Sequence, residues 1–210
     1  MREVILFGVL ITTYLMVIAK RVPALIRSFR YQSFFIFLAT LFTGFAEKQV
    51  DLCFIALLIL LLKVLIIPRV LSQVAKKISV DQGLGLFVNA QLSLLVAFIL
   101  TYLSWIFSGA LGFSRDYRLA AITVAFSVIL IGAFLMVSRM KAFTQVTGLL
   151  VMENGVFLFA SFVSGGMPFF VEIAIFLDVF VSVIIMGLFV YRINKLFTHI
   201  DVNKLSRLKG

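Results

Sequence analysis

Apolar runs of roughly one bilayer thickness alternate along this chain with short clusters of charged residues, glycine and proline. The runs cover about Glu3 to Ala19, Ser28 to Ala46, Leu52 to Leu71, Leu84 to Phe107, Leu119 to Ser138, Phe143 to Ser164 and Pro168 to Tyr191. Between them lie punctuating segments: Lys20-Arg21, Glu47-Lys48-Gln49, a polar loop with Lys76, Lys77, Asp81 and Gly83, and a loop holding Gly109, Gly112, Arg115, Asp116 and Arg118. Arg139 with Lys141, and then Gly165-Gly166-Met167-Pro168, separate the last three runs. Phe143 to Ser164 contains no basic residue, and as a helix it spans about 33 Å. The pattern predicts an all-α, polytopic transmembrane bundle of seven spans.

Composition supports that class. The chain is 63% hydrophobic and 13% charged, with a mean hydropathy of +1.18, unlike a soluble domain of 210 residues. A net charge of +10 raises the question of nucleic acid, but the basic residues sit between apolar runs, as the positive-inside rule requires. With the amino terminus outside, fourteen basic residues fall on inner connections and the tail; only Arg2, Lys48, Arg115 and Arg118 fall outside. The expected topology therefore puts Gly210 in the cytoplasm. Lys20-Arg21-Val22-Pro23 stands where a signal peptidase would need small residues, so the first run reads as a retained span. The single cysteine, Cys53, excludes an intramolecular disulfide and reads as a small apolar helix residue. No phosphate-binding glycine loop, Cys/His cluster or nucleophile-elbow motif occurs, and a metal role for the lone His199 is not expected.

A shift of 121 positions lays Leu38-Ala39-Thr40-Leu41-Phe42-Thr43-Gly44 on Phe159-Ala160-Ser161-Phe162-Val163-Ser164-Gly165, Lys20 on Lys141 and Gln32 on Glu153. Duplication of a three-span unit, with a fourth span restoring polarity, would give a 3+1+3 arrangement; chance similarity between apolar helices is the alternative. The corresponding units are 1–83, a first three-helix unit and loop; 84–118, a linking span; and 119–210, a second three-helix unit with a basic tail.

Chemistry centres on Leu150-Val151-Met152-Glu153-Asn154-Gly155. A carboxyl group in mid-span costs several kcal/mol unless it is paired, and such groups mark ion paths. Asp178 lies at comparable depth in the following span, joined by a tight turn, so the two carboxyl groups belong to antiparallel neighbours. Such a pair suits the uptake and release of a proton; alternatively, Glu153 hydrogen-bonds a neighbouring helix and fixes packing. Lys63 is the basic residue inside a span. It is placed toward the cytoplasmic side by Pro68 and Arg69, where it either snorkels, pairs with a carboxylate or carries a proton. Secondary candidates are Glu172 near the outer end of its helix, Gln32, and the hydroxyls of Ser161 and Ser182. Thr147 and Ser164 could join a hydrated path, although such residues commonly pack or bond back to their own helix. Asn154-Gly155 reads either as a place where a neighbouring helix closes on Glu153 or as simple packing.

The Glu153 motif, Gln32-Ser33, Lys63-Val64-Leu65-Ile66-Ile67-Pro68 and the ending His199-Ile200-Asp201-Val202-Asn203-Lys204-Leu205-Ser206-Arg207-Leu208-Lys209-Gly210 together resemble component E of hydrogenase-4. The last three spans also resemble the K subunit of respiratory complex I. The resemblance implies a multi-pass, inner-membrane subunit of a complex I-like oxidoreductase that relays protons or couples Na+/H+ movement. It implies antiporter-like subunits and the lipid bilayer as partners, no nucleic acid, no cofactor in this chain, and redox centres in other subunits. Of the two intramembrane glutamates on the K-subunit proton path, Glu153 matches the first. Asp178 stands for the second, but it is an aspartate and follows a shorter Gly-Gly-Met-Pro turn. The alternatives are a structural spacer in the same assembly and a small independent secondary transporter. A transporter should show Gly/Pro breaks at mid-span, whereas here they lie mostly at span ends.

Overall fold

The computed structural model describes residues 2–48, 50–77, 89–111, 117–139 and 142–163. They form α1 (Arg2–Ile18), α2 (Val22–Glu47), α3 (Val50–Ile59), a π-helical segment (Leu60–Ile66), α4 (Ile67–Lys77), α5 (Ala90–Ala110), α6 (Tyr117–Ser138) and α7 (Ala142–Val163). α3, the π segment and α4 follow one another without interruption, so the described chain makes six helical rods. Among the described residues, four stretches are long and apolar enough to cross a bilayer: Leu52–Gln73, Ala90–Ala110, Arg118–Ser138 and Thr144–Phe162. The expected seventh span, with Glu172, Asp178 and Ser182, lies outside the described residues.

Two boundaries differ from the sequence expectation. Helix α2 starts at Val22 rather than near Ser28. Arg21 is extended, and Pro23 sits in the first helical turn, where its fixed φ suits the helix and its missing N–H breaks no bond. Arg27 and Arg30, which the sequence pattern groups with Lys20 and Arg21 in a basic connection, are therefore exposed positions on α2. The third rod does not stop near Leu71 but continues through Pro68 to Lys77. Pro68 has no N–H for the carbonyl of Val64, and its ring crowds that carbonyl. The wider π register immediately before it relieves the crowding, and the Ile67 N–H reaches back to the carbonyl of Leu62. The expected turn at residues 47–49 is present in Lys48, which is left-handed (φ 53°, ψ 34°) and caps α2 through its N–H.

Packing follows from which faces are small. α6 and α7 make the most extensive pairing. A Cβ on Gly132 would stand 2.5 Å from the Met152 nitrogen, and one on Gly148 would stand 2.6 Å from the Met136 nitrogen. The two backbones therefore meet directly, as glycine permits in membrane helices. α5 turns Ser93, Ala97, Ser104 and Ser108 inward and leaves Leu95, Phe98, Tyr102, Trp105 and Ile106 exposed. Inside, Val9, Met16, Phe29, Ile36, Ile59, Ile122, Val128, Leu150 and Val151 belong to one core cluster or its buried neighbours.

The end of α6 is tied to the end of α1. Arg139 is 1% exposed, and its Nη2 donates to the carbonyls of Met16 (3.1 Å) and Val17 (3.0 Å). Those carbonyls are in the last turn of α1, where no intrahelical partner remains and a cation is favoured. Burial pushes the guanidinium below its ordinary value, to about 10, so it stays charged at neutral pH. α1 and α6 thus end at the same side of the bundle, and the α1–α2 and α6–α7 hairpins run in the same sense.

Candidate functional site

Side chains from three rods converge at mid-depth. Glu153 lies at the middle of α7, and Lys63 at the middle of the continuous stretch Leu52–Gln73, in the π segment. Because the rod runs on past Pro68, Lys63 is in the same layer as Glu153 rather than near the cytoplasmic end. It does not snorkel: its side chain is 2% exposed, and Glu153 is 8% exposed. The Lys63 Nζ stands 3.9 Å from Glu153 Oε1 and donates a shorter bond, 2.8 Å, to Asn154 Oδ1. A π turn of this kind widens the helix locally and recurs at functional sites; here it carries the lysine.

The polar cluster continues across the bundle. Asn154 Nδ2 donates to Gln32 Oε1 at 2.9 Å and lies 3.3 Å from Ser33 Oγ on α2. Gln32 Nε2 donates to Thr13 Oγ1 on α1 at 2.7 Å, and the Thr13 hydroxyl donates to the Val9 carbonyl at 2.8 Å. Thr13, Gln32, Ser33 and Asn154 are each fully buried. Polar groups in such a setting are costly unless satisfied, and here each amide donor and acceptor that is used has a partner of the right kind.

Two candidates named from the sequence, Glu153 and Lys63, are therefore brought together, and Gln32 joins them through Asn154. Ser161 does not join: it is half-buried and bonds back to the Phe157 carbonyl of its own helix at 2.9 Å. Thr147 is buried on α7, a turn and a half before Glu153. Sequence reasoning assigned no bond to Asn154, Thr13 or Ser33. The available signal was the density of amides and hydroxyls at mid-span in α1 and α2, read against the same depth in α7. No group of three metal-ligating side chains occurs among the described residues.

The arrangement holds a carboxyl group and an ammonium group side by side in a water-poor layer, with the ammonium anchored by an amide. A buried pair of this sort is a weak source of stability, because desolvation offsets its attraction, but removal of either member leaves an uncompensated charge. Such a site can move a proton or admit a cation.

Comparison with known proteins gives the family. No family model matches the chain, and no solved structure matches it. An uncharacterised protein of Mycobacterium tuberculosis, Rv0085, is 27% identical over 204 residues, which covers 96% of this chain and 93% of the relative. Hydrogenase-4 component E of Escherichia coli K12 is 30% identical over 149 residues, or 70% of this chain and 69% of the relative, and the Shigella flexneri component E matches to the same extent. Together with the four membrane-length apolar helices, these matches establish a membrane protein that belongs to the hydrogenase-4 component E family.

Proposed function

We propose that this chain is a membrane subunit of a hydrogenase-4-type, complex I-like oxidoreductase, and that it relays protons, or couples Na+/H+ movement, through Glu153. The observation that carries the reading is the buried Glu153–Lys63 pair in mid-bundle, in a chain whose relatives include hydrogenase-4 component E. Intramembrane acids and bases are expensive to hold and generally serve ion movement. Glu153 is the exchanging group and Lys63 its counter-cation; Asp178, from the span after Gly165-Gly166-Met167-Pro168, is the proposed next acid. Electrons travel in other subunits of the assembly, antiporter-like subunits flank this one, and the complex resides in the inner membrane with the amino terminus of this chain outside.

Purification in mild detergent tests the assembly. The tagged chain should bring down a multi-subunit oxidoreductase containing antiporter-like membrane proteins. Recovery of the chain alone as an active transporter would contradict it. Within the intact complex, Glu153→Asp keeps a carboxyl on a stem one methylene shorter and should retain part of the ion movement.

A further inference from the structure

The chain of bonds that begins at Lys63 has one direction. An ammonium group has donors only, so the oxygen of Asn154, not its nitrogen, must face it. That choice turns the Asn154 nitrogen away and requires acceptors beyond it, which are Gln32 Oε1 at 2.9 Å and, more distantly, Ser33 Oγ at 3.3 Å. The Gln32 nitrogen must in turn find an acceptor, and it finds Thr13 Oγ1. The Thr13 proton then goes to the Val9 backbone carbonyl. Every acceptor end in the series points back toward Lys63. Flipping Asn154 would set donor against donor at Lys63 and acceptor against acceptor at Gln32; flipping Gln32 would set donor against donor at Asn154 and require the Thr13 hydroxyl to leave the Val9 carbonyl.

We propose that Asn154, Gln32 and Thr13 are positioning residues that hold Lys63 as a fixed cation beside Glu153, and that the proton exchanges at Glu153 and not at Lys63. This rests on the reading of Glu153 as the exchanging acid. Two features support it. The aligned amide dipoles solvate a positive charge where water would otherwise be needed, and hydrogen bonds in such a series strengthen one another. The series also has no exit for a proton. A carboxamide passes a proton on only through an unfavourable imidic form, and the last acceptor is a backbone carbonyl inside a helix. Hydroxyls and waters would make a wire; two amides in succession make a tether. The tether joins four rods, so a shift of α2 against α7 would alter the distance from Lys63 to Glu153.

The test uses the intact complex in proteoliposomes, with ion movement per electron as the readout, at matched complex content. Arginine cannot give up its proton at working pH, so it replaces a fixed cation but not a carrier. Lys63→Arg should keep more than about half of the ion movement, whereas Lys63→Met should lose about tenfold, as for one charged hydrogen bond made in the rate-limiting state. Gln32→Met conserves length and volume but ends the series; ion movement should fall by roughly threefold to tenfold, while Gln32→Glu, which still accepts from Asn154 but no longer donates to Thr13, should recover part of that loss. If Lys63→Arg fails to assemble, the Gln32 pair decides. Lys63→Arg as inactive as Lys63→Met in an assembled complex, or Gln32→Met at the wild-type level, would overturn the proposal. Glu153→Gln is run beside them: its normal ion movement would overturn the parent reading instead, whatever the Lys63 variants show.

Discussion

Two buried cations occupy opposite kinds of site in this bundle. Arg139 lies at the end of α6 and gives its Nη2 hydrogen bonds to backbone carbonyls in the last turn of α1. Lys63 lies at mid-depth, beside the side chains of an asparagine at 2.8 Å and a glutamate at 3.9 Å. Backbone carbonyls at a helix end are fixed partners that cannot change charge. Side-chain partners can move, and one of them can gain or lose a proton. The first arrangement joins two hairpins; the second is suited to respond to the charge around it. Depth separates them as well, since a helix end needs cations, whereas a mid-span layer has no structural need of charge.

The comparison can be broken most forcefully at Lys63. Lys63→Met leaves Glu153 buried beside no counter-cation from the π segment, and should lower the stability of the solubilised complex by about 3–5 kcal/mol. The double change Lys63→Met with Glu153→Met should restore most of that loss, because an apolar pair of similar volume suits the layer. Ion movement should fall about tenfold in Lys63→Met and be absent in the double variant, which lacks the exchanging carboxyl. Thermal inactivation in detergent reads the first effect and proteoliposome transport the second. If the double variant stays as unstable as the single one, the pair is not coupled in the way its geometry indicates.

At Arg139 the pattern should reverse. Arg139→Gln removes the tie to Met16 and Val17 and should cost about 1.5–3 kcal/mol, the range for hydrogen bonds to a charged group. Ion movement per assembled complex should remain within roughly twofold of wild type, since the guanidinium touches no group of the Glu153 layer. Loss of transport without loss of assembly would erase the distinction between the two cations.

Much of this was legible in the sequence, and the reasons for the rest are physical. The all-helical membrane class, the turn at Lys48, the limits of α6 and α7, and the mid-span position of Glu153 follow from run length and punctuation. The meeting of Gln32 with Asn154 does not. These residues are more than a hundred positions apart. Moreover, α2, α6 and α7 are apolar nearly all round, so no amphipathic stripe tells which face turns inward. Arg139 read as part of a basic connection because a short charged cluster after an apolar run carries no sign of burial. The depth of Lys63 was misjudged because Pro68 reads as a helix end, and the π register that accommodates it leaves no mark in the sequence. Asp178, Glu172 and Ser182 fall outside the described residues, so their place relative to Glu153 belongs to the proposal.

The scaffold that sets the depth of Glu153 gives a smaller effect. Gly132→Ala forces a methyl group against the Met152 nitrogen, one residue before Glu153, and should cost about 1–3 kcal/mol in thermal stability of the complex. Partial loss of ion movement should accompany it, because α7 must shift from α6. Smallest is Tyr14→Phe, which removes the 2.6 Å bond between the Tyr14 hydroxyl and Thr101 on α5. It should cost about 0.5–1.5 kcal/mol and leave transport unchanged, since that bond lies outside the series from Lys63 to Val9.

The most direct measurement is proton uptake per electron by proteoliposomes carrying the Glu153→Gln complex, at the same complex content as wild type. Glutamine keeps the length of the side chain and its place beside Lys63 and Asn154, but it does not exchange a proton. If Glu153 is the relay, uptake should fall to a small fraction of wild type while the complex still assembles. Uptake at the wild-type level would contradict that role and leave a structural spacer as the function of this chain.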